Sequence, residues 1–289
     1  MSYFVINITK EYDGYLLEDF LSSFSLSKDK IKYLINNRKC YINGVINNEQ
    51  ILKTNDEICI DTSLYDDNEV LPVKRNLNIL YEDEYLLIVD KLPKCIMYPD
   101  EVNIDNTMAN FISYYYIEND LNYKVRHAHR LDFDTTGILI YAKDIITQAK
   151  LSQMIEDGTL VRKYLAVVEG QLKNKKGAIK ASIGKHRHEN GKMVISQNGK
   201  YAKTLYEVLK ENEHFSLVLL KLETGRTHQI RVHMSYLNHP LVGDEKYGSS
   251  TKEERVLLHS YLVDFLHPIT KKKINLICEE PSIFKKYFK

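Results

Sequence analysis

The 289-residue chain contains no apolar run approaching the roughly 18 to 20 residues that a membrane span requires. Met1-Ser2-Tyr3 leads into a mixed polar segment, not into a charged and then greasy signal sequence, so a soluble cytoplasmic protein is expected. Cysteine is scarce. Cys40, Cys59, Cys95 and Cys278 lie far apart with no C-x-x-C pair, which argues against a disulfide framework or a zinc ribbon and suits a reducing compartment. Formal net charge is only +1, an average that by itself points away from nucleic acid. Internal repeats and low-complexity tracts are also missing. What is present is 44% hydrophobic residues, enough for one large core or for a large domain plus a small one, and too much for a disordered, collagenous or coiled-coil chain.

The average charge hides an asymmetry. Residues 1–64 hold 7 Lys/Arg against 9 Asp/Glu, residues 65–73 add three acids, and residues 74–289 hold 33 against 27. Between Gln171 and Lys203 nine cations (Lys173, Lys175, Lys176, Lys180, Lys185, Arg187, Lys192, Lys200 and Lys203) face one acid, Glu189. A local charge of +8 is either a solvated loop or the electrostatic footprint of a polyanion.

Residues 1–64 form a small α+β unit on this reading. Leu16, Leu17, Phe20 and Leu21 predict one helix, and Ile31, Leu34 and Ile35 after Ser27 predict a second, ended by Asn36-Asn37. Cys40-Tyr41-Ile42, Asn43-Gly44 and Val45-Ile46 predict a hairpin, and Ile58-Cys59-Ile60 a further strand. The acidic, Pro-ended stretch from Tyr65 to Pro72 places a linker at 65–73. The remainder, 74–289, holds strands at Asn78–Tyr81, Tyr85–Asp90, Ile138–Tyr141, Tyr164–Val168, Tyr206–Leu209 and Phe215–Leu222. Helices are expected at Met108–Tyr115, capped near Asp105 or Asn106, and at Ile145–Asp157, stopped by Gly158. Strands outnumber helices and follow one another by short turns, so the predicted class is α+β, with a mixed, largely antiparallel sheet and flanking helices.

Three segments are too polar and too glycine-marked for ordinary surface. HAHRLDFDTTG, residues 127–137, invites a metal reading, but Asp132 comes five residues after His127 and no second His/Asp set accompanies it. Residues 224–244, TGRTHQIRVHMSYLNHPLVGD, predict a helix capped by Thr227 with Ile230, Met234 and Leu237 facing inward. His228 and His233 are five apart, not the one-turn spacing of a zinc helix, so no metal is expected. In the strand Lys163–Gly170, Tyr164 shares a face with Ala166 and Val168, where a core aromatic is the plain alternative to a functional one.

The run His129-Arg130-Leu131-Asp132 with Asp134-Thr135-Thr136-Gly137 resembles the signature of the RluA-type RNA pseudouridine synthases. TGRTHQIRVH with HPLVGD behind it is similar to their later signature. So are the Lys163-Tyr164 strand, Ala202-Lys203-Thr204, and Leu258-His259-Ser260 followed by His267-Pro268. Residues 14–62, with Leu26-Ser27 and Tyr41-Ile42-Asn43-Gly44, resemble the alpha-L RNA-binding motif of the ribosomal-protein S-four type. The chain departs from the family at Lys91-Leu92-Pro93-Lys94-Cys95, where a glycine is lost, at Tyr98-Pro99 in place of His-Pro, and at Phe133.

The resemblance implies conversion of uridine to pseudouridine in structured RNA, ribosomal or transfer, by a monomer without cofactor. It casts Asp132 as the nucleophilic carboxylate, Arg231 as its ion-pair partner and Tyr164 as the ring that stacks on uracil. Arg130 fills the gap left by the flipped base, Lys185, Arg187 and Lys192 hold phosphates, and Leu258 lines the substrate pocket. Physics agrees with that casting, because a carboxylate in a pocket shielded from water stays ionised only beside a cation. A stacked base must also be flipped to be reached. Two rivals remain at this level: a non-catalytic RNA-binding or ribosome-assembly protein, and a metal-dependent nuclease built on the histidines.

Overall fold

The computed structural model describes residues 3–46, 51–62 and 70–288. In the N-terminal part, α1 (Leu17–Ser23) and α2 (Lys28–Asn36) bury Leu17, Phe20, Leu21, Ile31 and Leu34 of the two predicted apolar sets, whereas Leu16 precedes α1 and is exposed and Ile35 is half-buried. Ser27 caps α2, accepting from the Lys30 amide at 3.5 Å. The helices cover strands β1 (Tyr3–Asn7), β2 (Cys40–Ile42) and β3 (Glu57–Asp61), antiparallel in the order β1-β3-β2. Asn43-Gly44 turns the chain as predicted, with φ of 50° and 78°. The expected return at Val45-Ile46 is reduced to one antiparallel bridge, in which Ile42 and Val45 exchange backbone hydrogen bonds of 2.8 and 3.0 Å. β3 is the longer partner of β2, and the Asn43 side chain donates to Asp56 at 2.8 Å and accepts from the Glu57 amide at 2.9 Å, tying the turn to that more distant strand. Of the linker expected at 65–73, residues 65–69 lie outside the described residues.

The rest of the chain builds a ten-stranded sheet. Its strands are β4 (Asn78–Glu82), β5 (Leu86–Lys91), β6 (Arg126–His127), β7 (Thr136–Ala142), β8 (Val161–Glu169), β9 (Lys176–Lys180), β12 (Lys203–Glu211), β13 (Phe215–Leu222), β14 (Leu258–Leu266) and β15 (Lys273–Ile277). A separate hairpin, β10 (Ile183–Lys185) and β11 (Met193–Ile195), interrupts the series. The order is β4-β5-β7-β14-β8-β13-β12-β9, with β15 on β14 and β6 on β7. Every neighbour pair in this sheet is antiparallel except β7 and β14. The α+β class and the largely antiparallel sheet are as the sequence predicts. At the parallel seam Ser260 lies opposite Gly137, whose φ is +98°; a Cβ there would sit 2.2 Å from the Ser260 carbonyl, so only glycine fits.

Helices α3 (Met108–Glu118) and α5 (Gln229–Tyr236) pack on one face, against Leu87, Val89, Leu139, Tyr141, Ala166 and Leu220. On the other face α4 (Ile145–Glu156) packs against Leu86, Ile88, Ile138 and Ile140. Burial on both faces explains why Ile138–Tyr141 is an unbroken apolar run. The cap of α3 is Thr107, not Asp105 or Asn106: the Thr107 hydroxyl accepts from the Asn110 amide, and the Asn110 side chain accepts from the Thr107 amide, a reciprocal pair that fixes the first turn one residue later than predicted.

The N-terminal unit shares its core with the large sheet. Ile145 and Ile146 at the start of α4, together with Ile269, join Phe4, Leu17 and Phe20 in one apolar cluster. Tyr85 donates its hydroxyl to the Val5 carbonyl at 2.9 Å, and Lys150 Nζ donates to the Ser23 carbonyl at 3.0 Å.

Candidate active site

Asp132 stands in the loop between β6 and β7, with its side chain 21% exposed. Buried cations hold this loop from below. Lys91 Nζ donates to the carbonyls of Leu92, Phe133 and Thr135 at 3.0, 3.0 and 2.9 Å, and Arg255 donates to the Asp134 carbonyl at 3.2 Å. Burial lowers the Lys91 pKa to about 8. Burial also raises the Asp134 carboxyl above its usual range, although Arg231, Lys91 and Arg255 oppose that rise.

Facing Asp132 is the start of α5. Thr227 is not its cap: the residue preceding the helix is His228, held at φ +55° with no capping hydrogen bond from its side chain. The entry is fixed instead by Gln229, whose side-chain oxygen accepts from the Arg226 amide at 3.0 Å and from the Thr224 hydroxyl at 2.8 Å. Arg231 reaches Asp132 with Nη1 at 3.5 Å, as the sequence reading requires of a partner. Its closer partner is buried Asp244, gripped by Nε at 2.7 Å and Nη2 at 2.8 Å, and the guanidinium lies over the Tyr247 ring at 4.9 Å. Burial by itself would lower the Arg231 pKa; the hydrogen bonds and charge of Asp244 outweigh it and the net shift is upward. The Asp244 role was not read from the sequence. Its one signal was the HPLVGD motif, since nothing in the periodicity of a loop tells that an acid is buried.

Tyr164, Leu258, Arg130, Asp132 and Arg231 meet around one cavity of about 60 Å³, which Leu222 and His228 also line. It opens on a groove of about 470 Å³ that runs past His127, Arg162 and Thr224. Tyr164 is 4% exposed, and burial raises its pKa. Arg130 is exposed at the rim and makes no ion pair among the described residues. His129, beside it in the motif, is buried, and desolvation pushes its pKa down to about 3.

The residues cast as phosphate contacts stand apart from the cavity, on a hairpin. Lys185, Arg187 and Lys192 belong to the β10–β11 hairpin and its tip and line neither the cavity nor the groove. The hairpin is nevertheless packed on the site, since Ile183, Met193 and Ile195 cluster with Val232 of α5 and with Tyr247. The local charge of +8 is reduced by carboxylates from outside and inside the segment. Lys175 pairs with Glu211 at 2.6 Å, Lys176 with Glu207 at 2.6 Å, Lys203 with Glu223 at 2.7 Å and Lys192 with Glu189 at 2.9 Å. Lys185 and Arg187 are exposed, with no ion pair among the described residues.

Residues 85–236 match the family model of RNA pseudouridylate synthases. The chain belongs to that family. It is 40% identical over 282 residues to an uncharacterized RNA pseudouridine synthase, YhcT, of Bacillus subtilis, covering 96% of this chain and 92% of that protein. It is 30% identical to the ribosomal large subunit pseudouridine synthase D of Haemophilus ducreyi, over 96% of this chain and 91% of the relative. Among solved structures it is similar to a human RNA pseudouridylate synthase domain-containing protein, with 28% identity and a TM-score of 0.60 over 73% of this chain and 86% of that one. The family isomerises uridine in RNA, and this chain is an RNA pseudouridine synthase. That reaction moves no electrons to an acceptor. It needs a carboxylate, a cation to hold it, an aromatic wall and a place to put a base, and residues of each kind line the cavity at Asp132.

Proposed function

We propose that the protein isomerises uridine in structured ribosomal RNA, acting as a cytoplasmic monomer, with Asp132 as the catalytic carboxylate. The observation that carries this reading is the convergence of Asp132, Arg231 and Tyr164 on one cavity from three separate parts of the chain. In the reaction the N1–C1′ bond breaks, the uracil turns, C5 joins C1′ and the C5 proton leaves. Asp132 supplies the anion for that exchange, Arg231 stands beside it as the counter-ion, and the Tyr164 ring stacks on the base. Arg130, exposed beside the cavity, enters the space that the flipped nucleotide vacates. Lys185 and Arg187 grip phosphates from the hairpin, with a smaller part for Lys192, which is shared with Glu189.

The ribosomal target is favoured by the relatives named as large subunit enzymes. The division into a unit at 1–64, a linker at 65–73 and a catalytic part at 74–289 belongs to the same proposal. So does an alpha-L type RNA-binding role for the first unit, supported by Lys28, Lys30, Lys32 and Arg38 on and after α2; Lys39 contributes less, being paired with Asp61 at 2.6 Å. The test is a pseudouridine map of total RNA from cells with and without the gene, complemented by wild type or Asp132→Asn. Sites that vanish with the gene and return only with wild type are expected in large-subunit RNA. Loss confined to transfer RNA would move the target, and an unchanged map would remove the proposal.

A further inference from the structure

Two hydrogen bonds run from the basic hairpin to His228, whose ring then faces Asp132 at 3.9 Å, through residues that the reading above does not use. The Met193 amide of β11 donates to the Tyr247 hydroxyl at 3.0 Å, and that hydroxyl lies 2.7 Å from Nδ1 of His228. An amide N–H only donates, so the Tyr247 oxygen is the acceptor there and its own proton is free for His228. Nδ1 of His228 then accepts, and the ring proton resides on Nε2, which stands 3.9 Å from Asp132 Oδ2. The opposite tautomer would leave the Tyr247 proton without an acceptor and aim a bare nitrogen lone pair at a carboxylate.

From this geometry we infer that His228 is a positioning residue for Asp132, fixed as its Nε2–H tautomer by Tyr247 and through Tyr247 by the amide of the RNA-facing hairpin. The inference rests on the proposed role of Asp132 and extends it to the residues that stand beside Oδ2, the oxygen that Arg231 also approaches. Arg231 stands 3.5 Å from Oδ2 of that carboxylate and the neutral Nε2–H of His228 faces the same oxygen at 3.9 Å, so a small closing movement of the carboxylate brings it onto a donor whose direction is already set. Burial, with Arg231 and Lys246 nearby, lowers the His228 pKa in spite of Asp132, so the ring is neutral at pH 7 and the place of its single proton matters. His228 itself has φ of +55°, a left-handed value that histidine adopts more readily than most residues and that places it as the residue entering α5. Tyr247 has a second hold on the site, because its ring lies under the Arg231 guanidinium.

The test separates tautomer from turnover. Long-range proton–nitrogen NMR on protein with 15N-labelled histidine, at pH 7, should show His228 protonated on Nε2 in the wild type and shifted toward a mixture in Tyr247→Phe, which keeps the ring and loses only the hydroxyl. In single-turnover assays on a transcribed RNA, Tyr247→Phe should be slower by roughly tenfold to hundredfold with RNA affinity unchanged, the pattern expected when a reacting group is misaimed. His228→Gln, whose amide nitrogen stands near the Nε2 position, should recover much of the rate lost in His228→Ala. The double variant Tyr247→Phe/His228→Ala should be no slower than His228→Ala alone, since both lesions cut one chain. A wild-type His228 protonated on Nδ1, a full rate in Tyr247→Phe, or losses that multiply would each overturn the relay. If the His228 variants fold poorly, the NMR and Tyr247→Phe measurements still decide. A wild type that shows the Nε2–H tautomer but makes no pseudouridine would sink the functional reading and leave the relay standing.

Discussion

Arg231 gives its two best hydrogen bonds to Asp244, at 2.7 and 2.8 Å, and keeps Nη1 for Asp132 at 3.5 Å. One guanidinium therefore serves two carboxylates. The inner one fixes its plane in a fork that a lysine cannot reproduce, and the outer one takes the charge that remains.

Removing the inner partner should damage both stability and turnover. Asp244→Asn leaves a buried guanidinium with half its fork facing an amide N–H, and the loss expected for breaking such a pair is about 3 to 5 kcal/mol. Urea unfolding reads the first effect and pseudouridine formation under native conditions the second. Arg231→Lys should fold better than Asp244→Asn yet turn over poorly; wild-type activity in either would mean that the orientation of Arg231 is immaterial.

Asp132→Asn keeps size and hydrogen bonding while deleting the charge. Pseudouridine formation should fall by several orders of magnitude, with RNA affinity nearly unchanged because Asp132 is not a phosphate contact. Residual activity above a tenth of wild type would remove Asp132 from the chemistry.

Tyr164 is too well packed for an alanine test to isolate stacking, since truncating a buried aromatic costs about 3 to 5 kcal/mol on its own. The informative pair is Tyr164→Phe and Tyr164→Leu. Phenylalanine should preserve RNA binding and turnover. Leucine, which fills much of the same volume without a π face, should bind less tightly by about 1 to 3 kcal/mol of forfeited stacking. Equal RNA affinity in the two variants would reduce Tyr164 to a core residue.

Salt dependence should follow the free cations and not the count of nine. Neutralising Lys185 and Arg187 should take about 0.7 to 0.9 off the log–log slope for each phosphate no longer neutralised. Neutralising Lys175 and Lys176, which are paired with Glu211 and Glu207, should change the slope little. The reverse ranking, measured by filter binding across a salt series, would place the RNA on the β9–β12 edge instead.

Acid should destabilise the fold through His129. Its folded pKa is about 3 against an ordinary 6.5, so as pH falls below 6.5 the unfolded chain binds a proton that the folded chain refuses. Stability from this group is complete above about pH 6.5 and lost progressively down to about pH 3, at roughly 1.4 kcal/mol per pH unit. His127, His233 and His259, also lowered by burial, add to the same trend. His129→Leu should flatten the decline by about one proton in urea titrations between pH 6.5 and 4.5; an unaltered slope would assign the acid sensitivity to other groups.

The local features of the fold were legible because they are short-range. Ser27 and Asn43-Gly44 act on neighbours three or four residues away, and the double-sided burial of Ile138–Tyr141 is written in its lack of alternation. What failed was decided at a distance. Nothing near Val45 announces that the return stops after one bridge and that β3, beyond residue 56, becomes the longer partner of β2. The partners of Lys175, Lys176 and Lys203 are Glu211, Glu207 and Glu223, which become neighbours only through strand pairing, so a charge sum over consecutive residues overstated the field. In the same way Asp132, Tyr164 and Arg231 were named by resemblance, whereas Asp244 and Tyr247 acquire their roles only when the chain behind α5 folds back under Arg231.

The common cluster of Phe4, Leu17, Phe20, Ile145, Ile146 and Ile269 bears on selectivity. An appendage on a slack tether samples many distances from Asp132, and arresting it on RNA would cost conformational entropy at every encounter. Here that cost is met during folding. On the RNA-binding role proposed for it, the N-terminal unit would form with the carboxylate the two jaws of a caliper with a single setting. A substrate would then be accepted when its three-dimensional shape spans the gap, and uridines in identical local sequence but different tertiary surroundings would be told apart by geometry.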